Sequence, residues 1–272
     1  MPTFKVAAIQ LNSQPDFRKS MDMVKHAIEE AFASNADVVA LPENFAFMGD
    51  EFEKHRLAER IEETVMKEIP ALARHYGITI IAGGFPVRAE NGKVYNRAII
   101  FDRDGEITAR YDKIHLFDVD LSQEETYRES DTVEPGDVTP VVCDIYTGDG
   151  AVRAGLSICY DIRFPELYRQ LSERGADLIF IPAAFTRPTG EAHWEILLRA
   201  RAIENSCYVI APAQTGSHGQ KRKTHGHSMI IDPWGRVLAD AGTSPGIALA
   251  EIDTGLIEDV RQKLPSLKHR IL

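Results

Sequence analysis

The sequence predicts an α/β fold in which two sheets pack together and helices cover their outer faces. Apolar, strand-like runs alternate with amphipathic helical patterns along the chain. Residues 176–182, Ala-Asp-Leu-Ile-Phe-Ile-Pro, repeat residues 36–42, Ala-Asp-Val-Val-Ala-Leu-Pro, 140 positions later. Each half also carries a hairpin pattern, around residues 102–105 and 232–235. These repeats predict a single domain over residues 1–272 with internal pseudo-two-fold symmetry.

The first half reads as strands and helices in alternation. The predicted elements are a strand at 5–11, a helix at 18–34, a strand that ends at Pro42, a helix at 59–76, a strand at 78–82 and a hairpin at 96–114. The helix at 18–34 follows from apolar residues at helical spacing, and Gly77 ends the next helix. The acidic stretch 117–137 is predicted to be a long surface loop.

The second half follows the same order. The predicted elements are a strand at 152–160, helices at 165–174 and 192–206, strands at 178–181 and 207–213, a hairpin at 227–239, a strand at 247–252 and a helix at 254–264. Pro165 suits a first helical turn, and Gly175 suits a helix end. Cys159 is therefore predicted where a strand ends and a helix begins, a position that carries reactive groups in many α/β folds.

Composition excludes several classes of protein. The 272 residues are 44% hydrophobic and 26% charged, which is typical of soluble globular chains. A net charge of −10 gives no general attraction for nucleic acid. No run approaches the ~18 apolar residues of a membrane span, and no signal peptide is predicted. Three cysteines without CxxC spacing favour reduced thiols. We therefore expect a cytoplasmic protein without membrane or nucleic-acid partners.

Three groups with complementary chemistry follow predicted strands: Glu43, Lys113 and Cys159. A thiolate attacks a carbonyl carbon to form a thioester, and a carboxylate takes the thiol proton and later activates water. An ammonium stabilises the oxyanion, with the backbone N–H of Tyr160 as the predicted second donor. Each residue alone is more often a surface charge or a buried thiol. Brought together, the three predict an amide-cleaving site.

Three motifs in this order resemble the nitrilase superfamily of carbon–nitrogen hydrolases. Residues 41–44 read Leu-Pro-Glu-Asn, residues 111–118 read Tyr-Asp-Lys-Ile-His-Leu-Phe-Asp, and residues 155–167 read Gly-Leu-Ser-Ile-Cys-Tyr-Asp-Ile-Arg-Phe-Pro-Glu-Leu. The resemblance implies a four-layer αββα sandwich, a Glu–Lys–Cys catalytic triad, homo-oligomers and no cofactor. It also implies a second glutamate that orients the lysine, at Glu129.

Within that superfamily the chain is most similar to the branch of omega-amidases and deaminated glutathione amidases. Residues 113–120, 190–204 and 226–235 carry this similarity, and residues 213–224 favour deaminated glutathione as the substrate. The resemblance implies cleavage of that amide to α-ketoglutarate and Cys-Gly, with α-ketoglutaramate as the alternative substrate. A catalytically idle binding protein remains a further alternative. Gly190-Glu191 stands where the family more usually has Gly-Pro.

Both substrates carry an α-keto acid carboxylate, which an arginine fork binds well. Candidate arginines are Arg163, Arg187, Arg199 and Arg201. For Arg199 and Arg201 we favour ion pairs with Glu195 or Glu204 instead. Residues 221–223, Lys-Arg-Lys, together with His218, could contact a further carboxylate or could be solvated. Phe185 and Thr186 are predicted to line the pocket.

Other titratable residues receive structural predictions. His218, His225 and His227 lack the carboxylate or cysteine that would complete a familiar metal site, so no metal is predicted. Cys143 and Cys207 lie in strand-like runs and are expected to be buried and inert. His115 is expected to be a structural hydrogen-bonder. A papain-like Cys–His mechanism is an alternative to the triad.

Overall fold

The computed structural model describes residues 3–123, 125–148, 150–219 and 222–271. The α-helices are α1 (Phe17–Ala33), α2 (Glu51–Tyr76), α3 (Pro165–Glu173), α4 (Arg187–Asn205) and α5 (Thr254–Lys263). The strands of the first half are β1 (Thr3–Gln10), β2 (Val38–Ala40), β3 (Thr79–Arg88), β4 (Val94–Phe101), β5 (Ile107–Asp112), β6 (Asp118–Asp120) and β7 (Thr126–Arg128). Those of the second half are β8 (Val142–Thr147), β9 (Gly150–Leu156), β10 (Leu178–Phe180), β11 (Tyr208–Ala211), β12 (Thr215–His218), β13 (Arg222–His225), β14 (Met229–Ile231), β15 (Val237–Asp240) and β16 (Gly246–Asp253). The predicted α/β class is confirmed.

Two six-stranded sheets have the same topology. Their strand orders are β16-β1-β2-β3-β4-β5 and β8-β9-β10-β11-β14-β15. In each, the second, third and fourth strands are parallel, and the remaining neighbours are antiparallel. The sandwich layering and the pseudo-two-fold symmetry stay predictions, which this common topology supports.

Alternate residues of the first sheet join different hydrophobic clusters. Val6 and Ala40 pack in a cluster that includes residues of the second sheet and of α3 and α4, such as Trp194. Ala7 and Val39 pack with residues of α1 and α2. Because successive strand side chains point to opposite faces, the first sheet has apolar partners on both faces. This double burial explains why its strands read as continuous apolar runs.

Several element boundaries differ from the predictions. Helix α2 begins at Glu51 instead of residue 59, because the Asp50 side chain accepts hydrogen bonds from the N–H groups of Phe52 and Glu53. Helix α4 begins at Arg187 instead of residue 192, with a proline in its first turn. Strand β9 ends at Leu156, and Cys159 instead opens a 3₁₀ turn, Cys159–Arg163.

The stretch 117–137, which was predicted to be a long surface loop, contains two strands and a 3₁₀ turn. Strands β6 and β7 pair there antiparallel, and a 3₁₀ turn, Glu129–Asp131, follows them. A second short hairpin, β12–β13, was also not predicted. Both hairpins consist mainly of polar residues, so they lack the apolar alternation that marks a strand in a sequence. Cys207 is buried as predicted, but Cys143 is only partly buried.

Gly83 allows β3 to pass close to the chain segments that carry the candidate site. A Cβ atom at Gly83 would overlap the Leu41 carbonyl oxygen and the Pro182 side chain. Leu41 follows β2 and Pro182 follows β10, which are short parallel strands inside the two sheets. Neither residue can therefore move without disturbing its sheet. A glycine is therefore required here for close packing.

We expect Gly83→Ala to lower the free energy of unfolding by about 1–3 kcal/mol, which is typical of an overpacked interior. The measurement is the urea midpoint of unfolding. Gly246→Ala is the matched control in the same sheet, because the nearest atom to its new Cβ, the Ser244 carbonyl oxygen, is 3.9 Å away. Equal midpoints for the two variants would contradict the packing argument.

Candidate active site

The structure brings Glu43, Lys113 and Cys159 together, although they follow β2, β5 and β9. The Glu43 carboxylate is almost fully buried and accepts three hydrogen bonds. Lys113 Nζ donates to Oε1 at 2.9 Å, Asn96 Nδ2 donates to Oε1 at 2.8 Å, and the Ala184 backbone N–H donates to Oε2 at 3.0 Å. These donors fix the orientation of the carboxylate beside the thiol.

Lys113 lies between two carboxylates. Its Nζ atom donates to Glu129 Oε1 at 3.0 Å and to Glu129 Oε2 at 2.8 Å, in addition to its bond with Glu43. Glu129 Oε2 also accepts the Phe117 N–H at 2.7 Å. With 2% of its side chain exposed, Lys113 is held in one position by charged partners on two sides.

Cys159 has a backbone conformation that is unusual for a residue with a side chain. Its φ of 49° lies in the left-handed region, and its N–H donates to the Pro182 carbonyl at 2.9 Å. The thiol is buried and lies beside the Glu43 carboxylate, whose negative charge acts on it. Strained backbone at a nucleophile is common, because it fixes where the reactive atom points.

The electrostatics of the site keep the resting thiol protonated. Burial and the negative charge of Glu43 raise the pKa of Cys159 well above its usual value, although Lys113 opposes this. Burial raises the pKa of Glu43, but the Lys113 ammonium and its hydrogen bond outweigh it and bring the pKa to about 2. Burial lowers the pKa of Lys113, but Glu129 and Glu43 together raise it well above its usual value. The resting site therefore holds a thiol, a carboxylate and an ammonium.

A pocket opens above these groups, with an empty volume of about 530 Å³ when the solvent at its mouth is included. Tyr160, Phe185 and Thr186 line it as predicted, and so does Arg222. Arg163 does not line it: the guanidinium packs over the rings of Tyr160 and Phe185, at 5.9 and 5.3 Å from their centroids. Among the described residues, no histidine lines this pocket.

Arg187 also lies outside the pocket. It pairs with the exposed Glu191 at 2.8 Å and lines a separate surface cavity with Lys223 and His225. Its placement on the first turn of α4 directs it away from the thiol, although the preceding Thr186 faces the pocket. Proximity in sequence to Tyr160 for Arg163, and to Thr186 for Arg187, was therefore a poor guide to which side chains line the pocket.

The three residues of the basic stretch 221–223 do not lie together. Lys221 lies outside the described residues, Arg222 lines the pocket, and Lys223 lines the separate cavity. His218 is buried away from the pocket, with Nδ1 2.6 Å from the Ser13 carbonyl oxygen and Nε2 2.6 Å from Thr224 Oγ1. His218 therefore has both ring nitrogens occupied and contacts no substrate space.

Other predicted structural roles agree with the contacts observed. Arg199 pairs with Glu195 at 3.2 Å, and Arg201 pairs with Glu204 at 2.7 Å. His115 Nδ1 lies 2.7 Å from Asp161 Oδ1, and the ring stacks on Phe164, which is the structural role expected for it.

The described residues contain no group of histidines, cysteines and carboxylates that could hold a metal ion. They also contain no helix long and apolar enough to cross a membrane.

Asn96 is a site residue that the sequence analysis missed. Its Nδ2 donates to Glu43 Oε1 at 2.8 Å and to Glu129 Oε1 at 3.2 Å, so it joins the two carboxylates without lining the pocket. Its Oδ1 leaves so little space that a Cβ atom at Gly84 would overlap it. The Gly83-Gly84 pair was therefore an available signal that another chain segment approaches β3 closely.

Comparisons with known proteins agree with this geometry. The family model described as carbon-nitrogen hydrolase matches residues 5–262. A Synechocystis protein named deaminated glutathione amidase is 51% identical over 100% of this chain and 99% of its own. The crystal structure of the Caenorhabditis elegans NitFhit protein matches with a TM-score of 0.91 and 40% identity over 99% of this chain, which spans 65% of that one. Saccharomyces cerevisiae Nit3, described as a member of branch 10 of the nitrilase superfamily, matches with a TM-score of 0.87 and 31% identity, over 99% of this chain and 97% of that one.

The buried His218 makes stability depend on pH. Burial lowers its pKa from 6.5 to about 4 in the folded protein, so the unfolded chain takes up the proton first as pH falls. The stability contributed by neutral His218 is therefore complete above pH 6.5 and is lost progressively towards pH 4. We expect the wild type to lose about 2 kcal/mol more than His218→Gln between pH 7 and pH 5. Urea unfolding at both pH values measures this, and equal losses would show that His218 does not titrate as described.

Proposed function

The chain belongs to the carbon–nitrogen hydrolase family, and on that basis we propose that Glu43, Lys113 and Cys159 are its catalytic triad. Members of this family are amidases and related hydrolases of carbon–nitrogen bonds, and this chain is one of them. The observation that supports the assignment of residues is the contact of a buried thiol, carboxylate and ammonium at one end of a pocket. The three groups supply a nucleophile, a base and an oxyanion donor.

The first half-reaction forms a thioester. Cys159 Sγ attacks the amide carbon while Glu43 takes the thiol proton, so the carbonyl π electrons move to the oxygen. The tetrahedral intermediate collapses with cleavage of the C–N bond, and Glu43 returns the proton to the leaving nitrogen. The high pKa of the thiol and the low pKa of Glu43 oppose proton transfer in the empty site. Transfer is therefore coupled to attack on a bound carbonyl.

The second half-reaction hydrolyses the thioester. Glu43 takes a proton from water as the water oxygen attacks the acyl carbon. The C–S bond then breaks, the acid product leaves, and the Cys159 thiolate recovers the proton from Glu43. One carboxylate thus serves as base, acid and base again, which requires that it stay fixed; its bond from the Ala184 N–H supports this.

Lys113 stabilises the oxyanion in both half-reactions, and Glu129 acts as its positioning residue. One Lys113 N–H donates to Glu43 and a second is shared by the two Glu129 oxygens, which leaves the third N–H for substrate. The Tyr160 N–H is the proposed second donor, because it belongs to the first turn of the 3₁₀ segment. Its neighbours in that turn donate elsewhere, Cys159 to Pro182 and Asp161 to Ile158.

The preferred substrate is deaminated glutathione, split into α-ketoglutarate and Cys-Gly. The 51% identical Synechocystis relative bears the name of that activity over the full length of both chains. Omega-amidase activity on α-ketoglutaramate is the second candidate, because the same acyl group is cleaved. An idle binding protein is disfavoured, since Glu43, Lys113, Cys159 and Glu129 are all present and in contact.

The remaining properties are proposed from the family resemblance and composition. We expect one domain over residues 1–272, a homo-oligomer, and a cytoplasmic location consistent with free cysteines. The proposed chemistry requires no cofactor.

Replacing the nucleophile should abolish turnover without unfolding the chain. We expect Cys159→Ala to reduce kcat by at least about 10⁴-fold, because no other group can form the acyl intermediate. Amide hydrolysis is the measurement, and Cys207→Ala, which removes a buried thiol outside the pocket, is the control. Lys113→Ala should be far more damaging than His115→Ala; equal damage would favour a Cys–His mechanism. Full activity of Cys159→Ala would refute the triad.

Substrate preference is tested by α-ketoglutarate release from deaminated glutathione and from α-ketoglutaramate at equal concentration. We expect kcat/KM to be at least about tenfold higher for deaminated glutathione, because its dipeptide half fills more of the pocket. A higher value for α-ketoglutaramate would make the protein an omega-amidase. Hydrolysis of neither would reject the substrate assignment and leave only the family chemistry.

A further inference from the structure

Arg222 is a charged pocket residue to which the proposed mechanism gives no part. It begins β13, and its Nη1 donates to Glu51 Oε1 at 2.9 Å. Its guanidinium lies 5.7 Å from the centroid of the Tyr127 ring. Its Nε is buried and has no hydrogen-bond partner among the described residues. A partly buried guanidinium at a pocket wall that has a buried Nε without a partner is arranged to receive an acceptor from a ligand.

We propose that Arg222 binds the α-keto acid carboxylate in the acyl half of the substrate. This assignment rests on the proposed function. It identifies the residue that determines which acyl group the site accepts. The carboxylate would take the donors that Glu51 leaves free, and the Tyr127 ring would flank it. Arg222 is thus a specificity-determining residue, whereas Glu51 is its positioning residue.

The position of Arg222 is set by the first turn of α2. Glu51 pairs with both Arg222 and Lys54, and Lys54 Nζ also donates to Asn44 Oδ1 at 3.2 Å. Asn44 follows Glu43 directly, so this chain of contacts connects the guanidinium with the catalytic carboxylate. Lys54 and Arg222 share one carboxylate, which leaves one positive charge without a neutralising partner at this end of the pocket.

The proposed catalytic groups, which line the same pocket, have the reverse balance. There Lys113 is shared by Glu43 and Glu129, which leaves one negative charge in excess. The pocket wall therefore carries an excess positive charge around Arg222 and an excess negative charge around the catalytic groups. An anionic substrate enters with its carboxylate towards Arg222, and its amide is then left beside Cys159.

The acyl half of the substrate is short. In a five-carbon α-keto acid amide the carboxyl carbon is four bonds from the reacting carbonyl carbon, about 5 Å when extended, since C–C bonds are ~1.5 Å. Arg222 and Cys159 line the same pocket, so this acyl chain would contact Arg222 at its carboxylate and Cys159 at its amide carbon.

The other arginines near the pocket have their donors engaged or point elsewhere. Arg128 lines the pocket but forms a fork with Asp120 at 2.8 and 2.9 Å on the exposed β6–β7 hairpin. Arg163 packs over two aromatic rings, and Arg187 pairs with Glu191 in the separate cavity. Among the described residues, Arg222 is the guanidinium that combines burial, pocket exposure and free donors.

The test measures steady-state kinetics of Arg222→Met and Arg222→Lys on three amides. Deaminated glutathione and α-ketoglutaramate share the acyl carboxylate, whereas pentanamide has the same five-carbon chain without it. We expect Arg222→Met to raise KM at least about tenfold for both α-keto substrates, as for loss of a charged hydrogen bond, with a smaller change in kcat. For pentanamide we expect kcat/KM to stay within about threefold of wild type. Arg222→Lys should recover part of the loss in KM, since it keeps the charge but not the fork.

Arg261→Met is the matched control. Arg261 pairs with Asp177 at 2.8 Å and has a similarly covered side chain, but it lies on α5 outside the pocket. Its variant should match wild-type KM for all three amides. The rate of Cys159 alkylation by iodoacetamide reports an intact site in each variant, also where pentanamide is turned over slowly. If Arg222→Met does not fold, Arg222→Lys decides: its KM must rise for both α-keto substrates and not for pentanamide.

Other outcomes separate the two proposals. A raised KM for deaminated glutathione alone would place the dipeptide carboxylate at Arg222 and overturn the acyl assignment. Equal losses on pentanamide, or unchanged KM values, would overturn it as well. If the wild type itself hydrolyses neither α-keto substrate, the proposed function fails and this inference fails with it. Only the behaviour of the variants can reject the inference while the proposed function stands.

Discussion

The ammonium of Lys113 between the carboxylates of Glu43 and Glu129 is the interaction on which the site depends. Three charges are removed from water here, and such burial is costly unless every charge is paired and hydrogen-bonded. The structure meets this condition with backbone donors, from Ala184 to Glu43 and from Phe117 to Glu129. Removing one partner from a buried arrangement of this kind typically costs about 3–5 kcal/mol, because another charge loses its compensation. The charges proposed to stabilise an oxyanion thus also hold the surrounding chain segments in place.

The same arrangement controls when the thiol becomes reactive. A thiolate would meet the negative charge of Glu43 at close range in an apolar pocket, and the raised pKa of Cys159 expresses this cost. Once the thiol proton has moved to Glu43, the attacking sulfur and the developing oxyanion both lie near Lys113. In the proposed mechanism, the negative charge on the oxyanion is then stabilised by the Lys113 ammonium. This stabilisation is absent while no carbonyl is bound. The raised pKa therefore keeps Cys159 in the less reactive thiol form until a carbonyl is bound.

The sequence predicted the fold class, the proposed catalytic residues and part of the pocket wall, namely Phe185, Thr186 and the basic stretch with Arg222. Strand periodicity and the repeated Ala-Asp-to-Pro run identify backbone segments, and reactive groups just after strand ends share one edge of the fold. Side-chain direction within a turn has no such signal, so Arg163 and Arg187 were assigned to a pocket that they do not line. Arg222 and Asn96 are defined by contacts with Glu51 and Glu43, which lie far away in the chain. The early start of α2 was missed because the Asp50 cap, and not an apolar face, determines it.

The two halves of the chain contribute different kinds of group at the same place. The Glu43 carboxylate accepts the N–H of Ala184, 141 positions away, and the Glu43 carbonyl accepts Gln214 Nε2, 171 positions away. Contacts between such distant positions require closure of long loops, which is slow compared with the formation of local helices and hairpins. During refolding the helical circular dichroism can therefore recover while the carboxylate still lacks its donors. The return of hydrolytic activity would then report when the contacts between the two halves form during refolding.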